Sequence, residues 1–263
     1  MLHYESIPVT PFQQNCSVVW EDEGMTAAII DPGGDLDVLQ SACKQLGVKL
    51  VAIWITHAHI DHSGLLPRLI AAGYTGPVYA TPATCDLLEV MLADSAHIQE
   101  KEAEWMQKSK ARGAGRPPLY TIAEVQRTLR QLKPVAYGAE FRPHPALRCI
   151  FRDAGHIIGA AIIELWIRNG SKSRKIVFSG GIGQPNRPLV RDPTPISEAD
   201  VLVVESTYGN RLHKSMDDTI TELEHAVTDT LVRKKGNVII PAFAVGRTQE
   251  MLYLLVDLHK QGR

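Results

Sequence analysis

The chain has 263 residues, with 28 Lys and Arg against 29 Asp and Glu, for a formal net charge of -1. Hydrophobic residues make up 44% and charged residues 22%, which excludes a disordered, collagen-like or coiled-coil chain. The near-neutral total excludes a uniformly basic nucleic-acid-binding surface, while a local basic groove stays compatible with it.

In chain order, the first fifty residues read as β-β-β-α. Ser17 to Trp20 and Ala27 to Ile30 are short apolar runs separated by the turn at 21–24. Asp31-Pro32-Gly33-Gly34 is a sharp stop, and Asp35 is placed to cap a helix whose apolar positions are Leu36, Leu39, Ala42, Cys43 and Leu46. Leu50 to Ile55 is continuously apolar, as in a strand buried on both faces. A helix is predicted from Ser63 to Ala72, a strand at Val78 to Ala80, and mostly helix over 82–131 with a loop from Arg112 to Pro118. Further strands are predicted at Leu147 to Phe151, Ala160 to Ile167, Ile176 to Phe178, Val201 to Val204 and Val238 to Ile240, with helices at 217–234 and 247–260. Leu252, Leu255 and Leu258 read as core positions of the last helix. Alternating strands and helices place the chain in the α/β class.

A length prior of ~150 residues per domain allows one large domain or two small ones. No stretch reaches the ~18 apolar residues needed to span a bilayer. Met1 to Glu5 lacks the basic start of a signal peptide. Cys16, Cys43, Cys85 and Cys149 are widely spaced and form no CxxC pair, so they are expected to be buried free thiols in a reducing, cytoplasmic compartment.

The densest chemical signal is His57-Ala58-His59-Ile60-Asp61-His62, directly after the buried strand. Imidazole and carboxylate suit zinc and similar borderline metals. An extended segment points His57 and His59 to one side, and the following turn presents Asp61 and His62 from another angle. Packing so many polar rings without a partner would be costly, so a solvated His-rich loop is the weaker reading. His156, between Gly155 and Gly159, offers a third imidazole. Three histidines and a water make an open catalytic zinc site. Asp31 is placed to orient the histidines, although a plain turn aspartate would have the same sequence setting.

The His57 to His62 stretch resembles the HxHxDH signature of the metallo-β-lactamase fold, with Asp31 matching the first motif and His156 the third. From residue 51 the chain is similar to the β-CASP branch, the RNA-processing nucleases. The segments that carry this likeness are Thr56 to Gly64, Asp94 to Glu100, Pro118 to Tyr120, Ala154 to Ala160, Glu205 to Arg211 and Pro241 to Gln249. Glu205 matches the acidic residue that opens the β-CASP motifs. The first fifty residues, with Pro8-Val9-Thr10, Gln14-Asn15-Cys16 and Asp31 to Asp35, instead resemble the glyoxalase II-like hydrolases, which suggests a hybrid with a seam near residue 50.

The resemblance implies a metallo-β-lactamase αββα sandwich over residues 1–205, incomplete at its C-terminal side, and the start of a β-CASP insert over 206–263. It also implies an aspartate bridging two metal ions where this chain has Gly181, and a last metal histidine beyond Arg263. Without the bridging anion two dications repel, so one zinc is expected at His57, His59 and His156, with weak or no occupancy beside Asp61 and His62. Zinc lowers the pKa of bound water to ~7, and Asp61 is the expected general base. The resulting expectation is a zinc-dependent ribonuclease. Its rivals are a glyoxalase II-like thioesterase and an RNA-binding scaffold that does not cut. The basic run Lys108, Lys110, Arg112 and Arg116, with Arg211, His213 and Arg247, supplies candidate phosphate contacts, although a solvated loop would look the same. Homo-oligomerisation stays open.

Overall fold

In a computed structural model, the described residues are 2–262 apart from 12, 23, 109–116, 170 and 171. The first sheet is built from β1 (Leu2–Val9), β2 (Gln14–Glu21), β3 (Thr26–Ile30), β4 (Lys49–Trp54), β5 (Val78–Ala80) and β6 (Leu132–Pro134), in that spatial order. β1, β2 and β3 pair antiparallel, and β3 to β6 run parallel. Around these strands lie α1 (Leu36–Leu46), α2 (Ile60–Ser63), α3 (Leu66–Ala71), α4 (Pro82–Lys108) and α5 (Ile122–Leu129). The second sheet contains β7 (Glu140–His144), β8 (Leu147–Asp153), β9 (Ala161–Asn169), β10 (Lys172–Phe178) and β11 (Val201–Val203). Its pairs are antiparallel except β10 with β11. α6 (Met216–Thr228), a π turn (Asp229–Arg233) and α7 (Arg247–Lys260) follow.

Strand alternation explains the layering. In β4, Ala52 and Trp54 face the second sheet, while Ile53 and the following Ile55 face the helices. β3 divides likewise, with Ala28 and Ile30 on one side and Ala27 and Ile29 on the other. The inter-sheet core is completed by Cys149, Phe151, Ile163, Leu165, Ile176 and Phe178. The helical layer contributes Leu39, Leu66, Leu69, Leu88, Leu92 and Val125. Each such side chain taken fully out of water contributes roughly 1.5–3 kcal/mol. On the outer face of the second sheet, buried Glu164 receives Lys175 Nζ at 2.6 Å and Arg152 Nε at 2.5 Å.

β3 and β4 pair directly, so residues on both sides of position 50 form one continuous sheet. Several predicted elements differ from the structure. Val238–Ile240 is not a strand. No partner pairs with it among the described residues, and Ile239 is 89% exposed. An apolar run becomes a strand only when a neighbouring strand takes its hydrogen bonds. The helix predicted over 63–72 divides into α2 and α3, and that over 217–234 gives way to the π turn at Asp229. Asp35 does cap α1 by position, but at φ 55 its carboxylate accepts from the Thr10 N–H (2.7 Å) and not from the helix. Leu252 is exposed, whereas Leu254 and Leu258 form the buried stripe of α7. All four cysteines are free, with Cys16 and Cys149 buried and Cys43 and Cys85 half-buried. No helix among the described residues is long and apolar enough to cross a membrane.

Candidate metal centre

The candidate residues follow the C-terminal ends of strands. Asp31 follows β3, His57 follows β4 and His156 follows β8, while Gly181 and Glu205 lie just beyond β10 and β11. Open sheets with parallel strands place ligands beyond these ends. The two sheets meet at this edge, where the Ala161 N–H donates to the Thr56 carbonyl (2.7 Å). The His156 loop is closed by Ala154 N–H to Ala160 O (3.0 Å), and the Thr81 and Thr84 hydroxyls donate to Gly159 O (2.6 and 2.9 Å). Gly33 permits the other close approach, because a Cβ there would lie 1.4 Å from the Asp61 carbonyl oxygen.

His57, His59 and His156 each offer a ligand atom within 4.8 Å of the others. Their ring centroids are 4.9–5.3 Å apart, with planes nearly perpendicular. Burial, followed by the charges of His62, His156 and His59, holds His57 well below the usual imidazole range. Burial lowers His59. Burial and His59 bring His156 down to about 4. All three are therefore neutral imidazoles with lone pairs to share. That donor set fits a borderline dication such as zinc.

Asp31 organises the cluster from behind. It is buried, and its carboxylate accepts from Thr56 N–H (2.7 Å), Thr56 Oγ1 (2.6 Å) and His62 Nδ1 (2.9 Å). With its hydroxyl proton on Asp31, Thr56 Oγ1 accepts from His57 Nδ1 (3.0 Å), leaving His57 Nε2 free for a ligand. Asp31 sits at φ 53, a backbone state that costs a non-glycine residue about 1 kcal/mol or more and points to a function for the side chain.

His62 behaves differently from the other three. Burial pushes its pKa down, but Asp31, Asp61 and Glu205 outweigh burial and raise it. Its Nε2 lies 3.7 Å from Asp61 Oδ2. Asp61 and His62 thus lie beside the three-histidine group, not within it. Among the described residues, that group is the one set of three or more such donors in mutual reach.

Gly181 abuts His156, and a Cβ there would fall 2.9 Å from the ring's Cδ2. Glu205 Oε1 accepts from the Ile182 N–H beside it, and its charge partly opposes the lowering of His156 and adds to the raising of His62. Lys108 ends α4, and Arg247 opens α7; both are exposed. Arg211 lies 5.2 Å over the Tyr208 ring, and His213 meets that ring edge-on at 5.1 Å. Lys110, Arg112 and Arg116 lie outside the described residues. Sequence reasoning missed Phe243, which is 80% exposed with its ring 6.2 Å from that of His59. It also missed Val245, whose carbonyl accepts from His59 Nε2. The Pro241 to Gln249 motif marked the segment but gave no sign of where it packs.

The family model described as "Metallo-beta-lactamase superfamily" matches residues 9–135, across position 50. The chain is 36% identical over 204 residues to "Ribonuclease TTHA0252" of Thermus thermophilus, covering 78% of this chain and 42% of the relative. It is 35% identical over 217 residues to "Transcription termination factor FttA" of Pyrococcus abyssi, covering 81% of this chain and 31% of the relative. The chain therefore spans less than half the length of these curated relatives. Among solved structures, BLEG-1, a B3 metallo-β-lactamase, matches at 23% identity and a TM-score of 0.42, covering 67% of this chain and 71% of that one.

Proposed function

We propose that the chain, matched by the metallo-β-lactamase superfamily model over residues 9–135 and similar to ribonuclease TTHA0252 and FttA, is a zinc-dependent hydrolase of that superfamily that cuts RNA phosphodiesters. The observation that carries this reading is the group of three imidazoles, His57, His59 and His156, whose ligand atoms lie within 4.8 Å of one another. Zinc bound there supplies Lewis acidity and a nucleophilic water at neutral pH.

The other roles belong to the chain's own residues. Asp31 fixes His57 through Thr56 and holds the His62 ring directly. Asp61, with its side chain 39% exposed, accepts the proton of the attacking water at its carboxylate. Phe243 gives an exposed ring on which a base can stack beside the histidines. Lys108, Lys110, Arg112, Arg116, Arg211 and Arg247 are the cations we assign to phosphate contacts. We assign residues 1–205 to the hydrolase domain and 206–263 to part of a β-CASP domain. Four free thiols suit a reducing cytoplasm. Edge strand β11, with Leu202 exposed, is the place for a second copy to pair in a homo-oligomer.

Gly181 favours a second reading, in which the chain binds RNA without cutting it, because no carboxylate stands there to bridge a second ion. Metal analysis of protein purified without added metal, followed by cleavage of an end-labelled RNA with and without chelator, separates the two readings. The proposal expects about one zinc per chain and slow, chelator-sensitive cleavage that His156→Ala abolishes. Zinc and RNA binding without cleavage would establish the scaffold. Turnover of acyl-glutathione but not RNA would establish the thioesterase.

A further inference from the structure

The segment Phe243 to Gln249 reaches the metal centre from the far end of the chain. Its turn is fixed peptide by peptide by the first turn of α7. Thr248 Oγ1 donates to Phe243 O (2.6 Å), Gln249 Nε2 donates to Ala244 O (2.8 Å), and Gly246 N–H donates to Gln249 Oε1 (2.7 Å). The Val245 side chain packs against the small apolar cluster of Ala154, Ile157, Ala160, Ile162 and Val177, which includes neighbours of His156. Gly246 stands at φ 96, where a Cβ would meet Ile157 Cγ2 at 2.9 Å. Arg187 Nη1, from the loop between β10 and β11, donates to Glu250 of the helix (2.9 Å). The next carbonyl in the turn, that of Val245, is aimed at His59 Nε2 at 3.3 Å.

A carbonyl oxygen only accepts, so this bond requires the proton on Nε2 and leaves Nδ1 as the ring's lone pair. We propose that Val245 is a positioning residue: its carbonyl selects the His59 tautomer that presents Nδ1 to the metal, and so couples metal binding to the seating of α7 on the core. This inference rests on the three-histidine metal reading and is independent of the substrate. Coupling of this kind is reciprocal, so whatever displaces the 243–249 turn weakens metal binding, and metal binding holds the turn in place. Hydrogen-bond partners behind metal-binding histidines typically change metal affinity 10–100-fold when removed.

The test uses the full chain with Gln249→Ala, which removes two of the bonds that aim Val245 and touches none of the histidines. Long-range proton–nitrogen NMR on metal-free protein, assigned with His59→Gln, reads the ring tautomer. Competition with a chromophoric chelator reads zinc affinity. The expected result is a single Nε2–H tautomer of His59 in the parent chain, a mixture in Gln249→Ala, and a zinc affinity lower by about tenfold. An Nδ1–H tautomer in the parent chain would overturn the proposal. So would a tautomer mixture with unchanged zinc affinity, or a loss of affinity with the tautomer unchanged. Should Gln249→Ala fail to fold, Thr248→Ala releases the Phe243 carbonyl alone and is judged by the same two readouts. If the parent chain binds no zinc, the metal reading and the coupling fall together, while the tautomer still reports whether the Val245 bond exists.

Discussion

Replacing Asp31 by Asn changes one oxygen to an amide nitrogen, and Asn tolerates the positive φ at this position. The carboxylate now accepts three bonds, from Thr56 N, Thr56 Oγ1 and His62 Nδ1. An amide oxygen keeps one of them. The new NH2 then faces a hydroxyl and a ring N–H that were both donating. The hydroxyl can rotate and accept from the amide as well as from His57 Nδ1, but its own proton then loses the carboxylate that fixed its orientation. Losing two charge-assisted bonds at about 1.5 kcal/mol each amounts to about 3 kcal/mol of stability. Because His57 and His62 both lose their anchor, zinc affinity is expected to fall 10–100-fold. Urea unfolding of the metal-free protein measures the first quantity, and chelator competition the second. A stability loss below about 1 kcal/mol together with unchanged zinc affinity would show that Asp31 is only a turn residue and refute the relay through Thr56.

Gly181→Asp is expected to raise zinc content from about one to about two per chain and to speed RNA cleavage. The His156 ring must shift slightly to admit the Cβ; unchanged stoichiometry by metal analysis would count against the bridging argument. Glu164→Gln leaves Lys175 and Arg152 without their shared carboxylate and should cost about 2 kcal/mol, below the full cost of breaking a buried pair because Arg152 is partly exposed. Burial raises the Glu164 pKa, but Lys175 and Arg152 outweigh burial and hold it below the ordinary 4.5. Its contribution is therefore complete above that value and disappears as pH falls towards the lower, folded-state pKa. Denaturant titrations across this range should show Glu164→Gln losing less stability on acidification than the parent chain. Phe243→Ala should weaken RNA binding by about 1–3 kcal/mol while leaving zinc affinity unchanged, which a filter-binding titration would reveal.

The parts legible from sequence were those whose signal is local. The apolar run ending at Ile55 could only be a doubly covered strand, and it delivers His57 to the sheet edge. The spacing of His57 and His59 announced that their rings lie on one side. Where meaning depends on distant neighbours, the sequence reading failed. Val238 to Ile240 has the composition of a strand but no partner among the described residues. β6 and β7 are short, and Lys133, Glu140 and Arg142 obscure any apolar alternation. The His59 to Val245 bond spans 186 positions and uses a backbone oxygen, which no residue type announces. Asp35 is the N-cap residue of α1, as its sequence setting indicates, but cap and turn residues share the same chemistry and its carboxylate serves the Thr10 turn.

Both sheets are laid down in chain order, each strand beside the one made before it. During synthesis the first sheet is complete at residue 134, before any of the second has left the ribosome. Such local order favours rapid, stepwise folding. The three candidate ligands do not respect that division: His57 and His59 belong to the early half, and His156 arrives with the late one. A metal ion held by all three would act as a clasp across the two successively made halves.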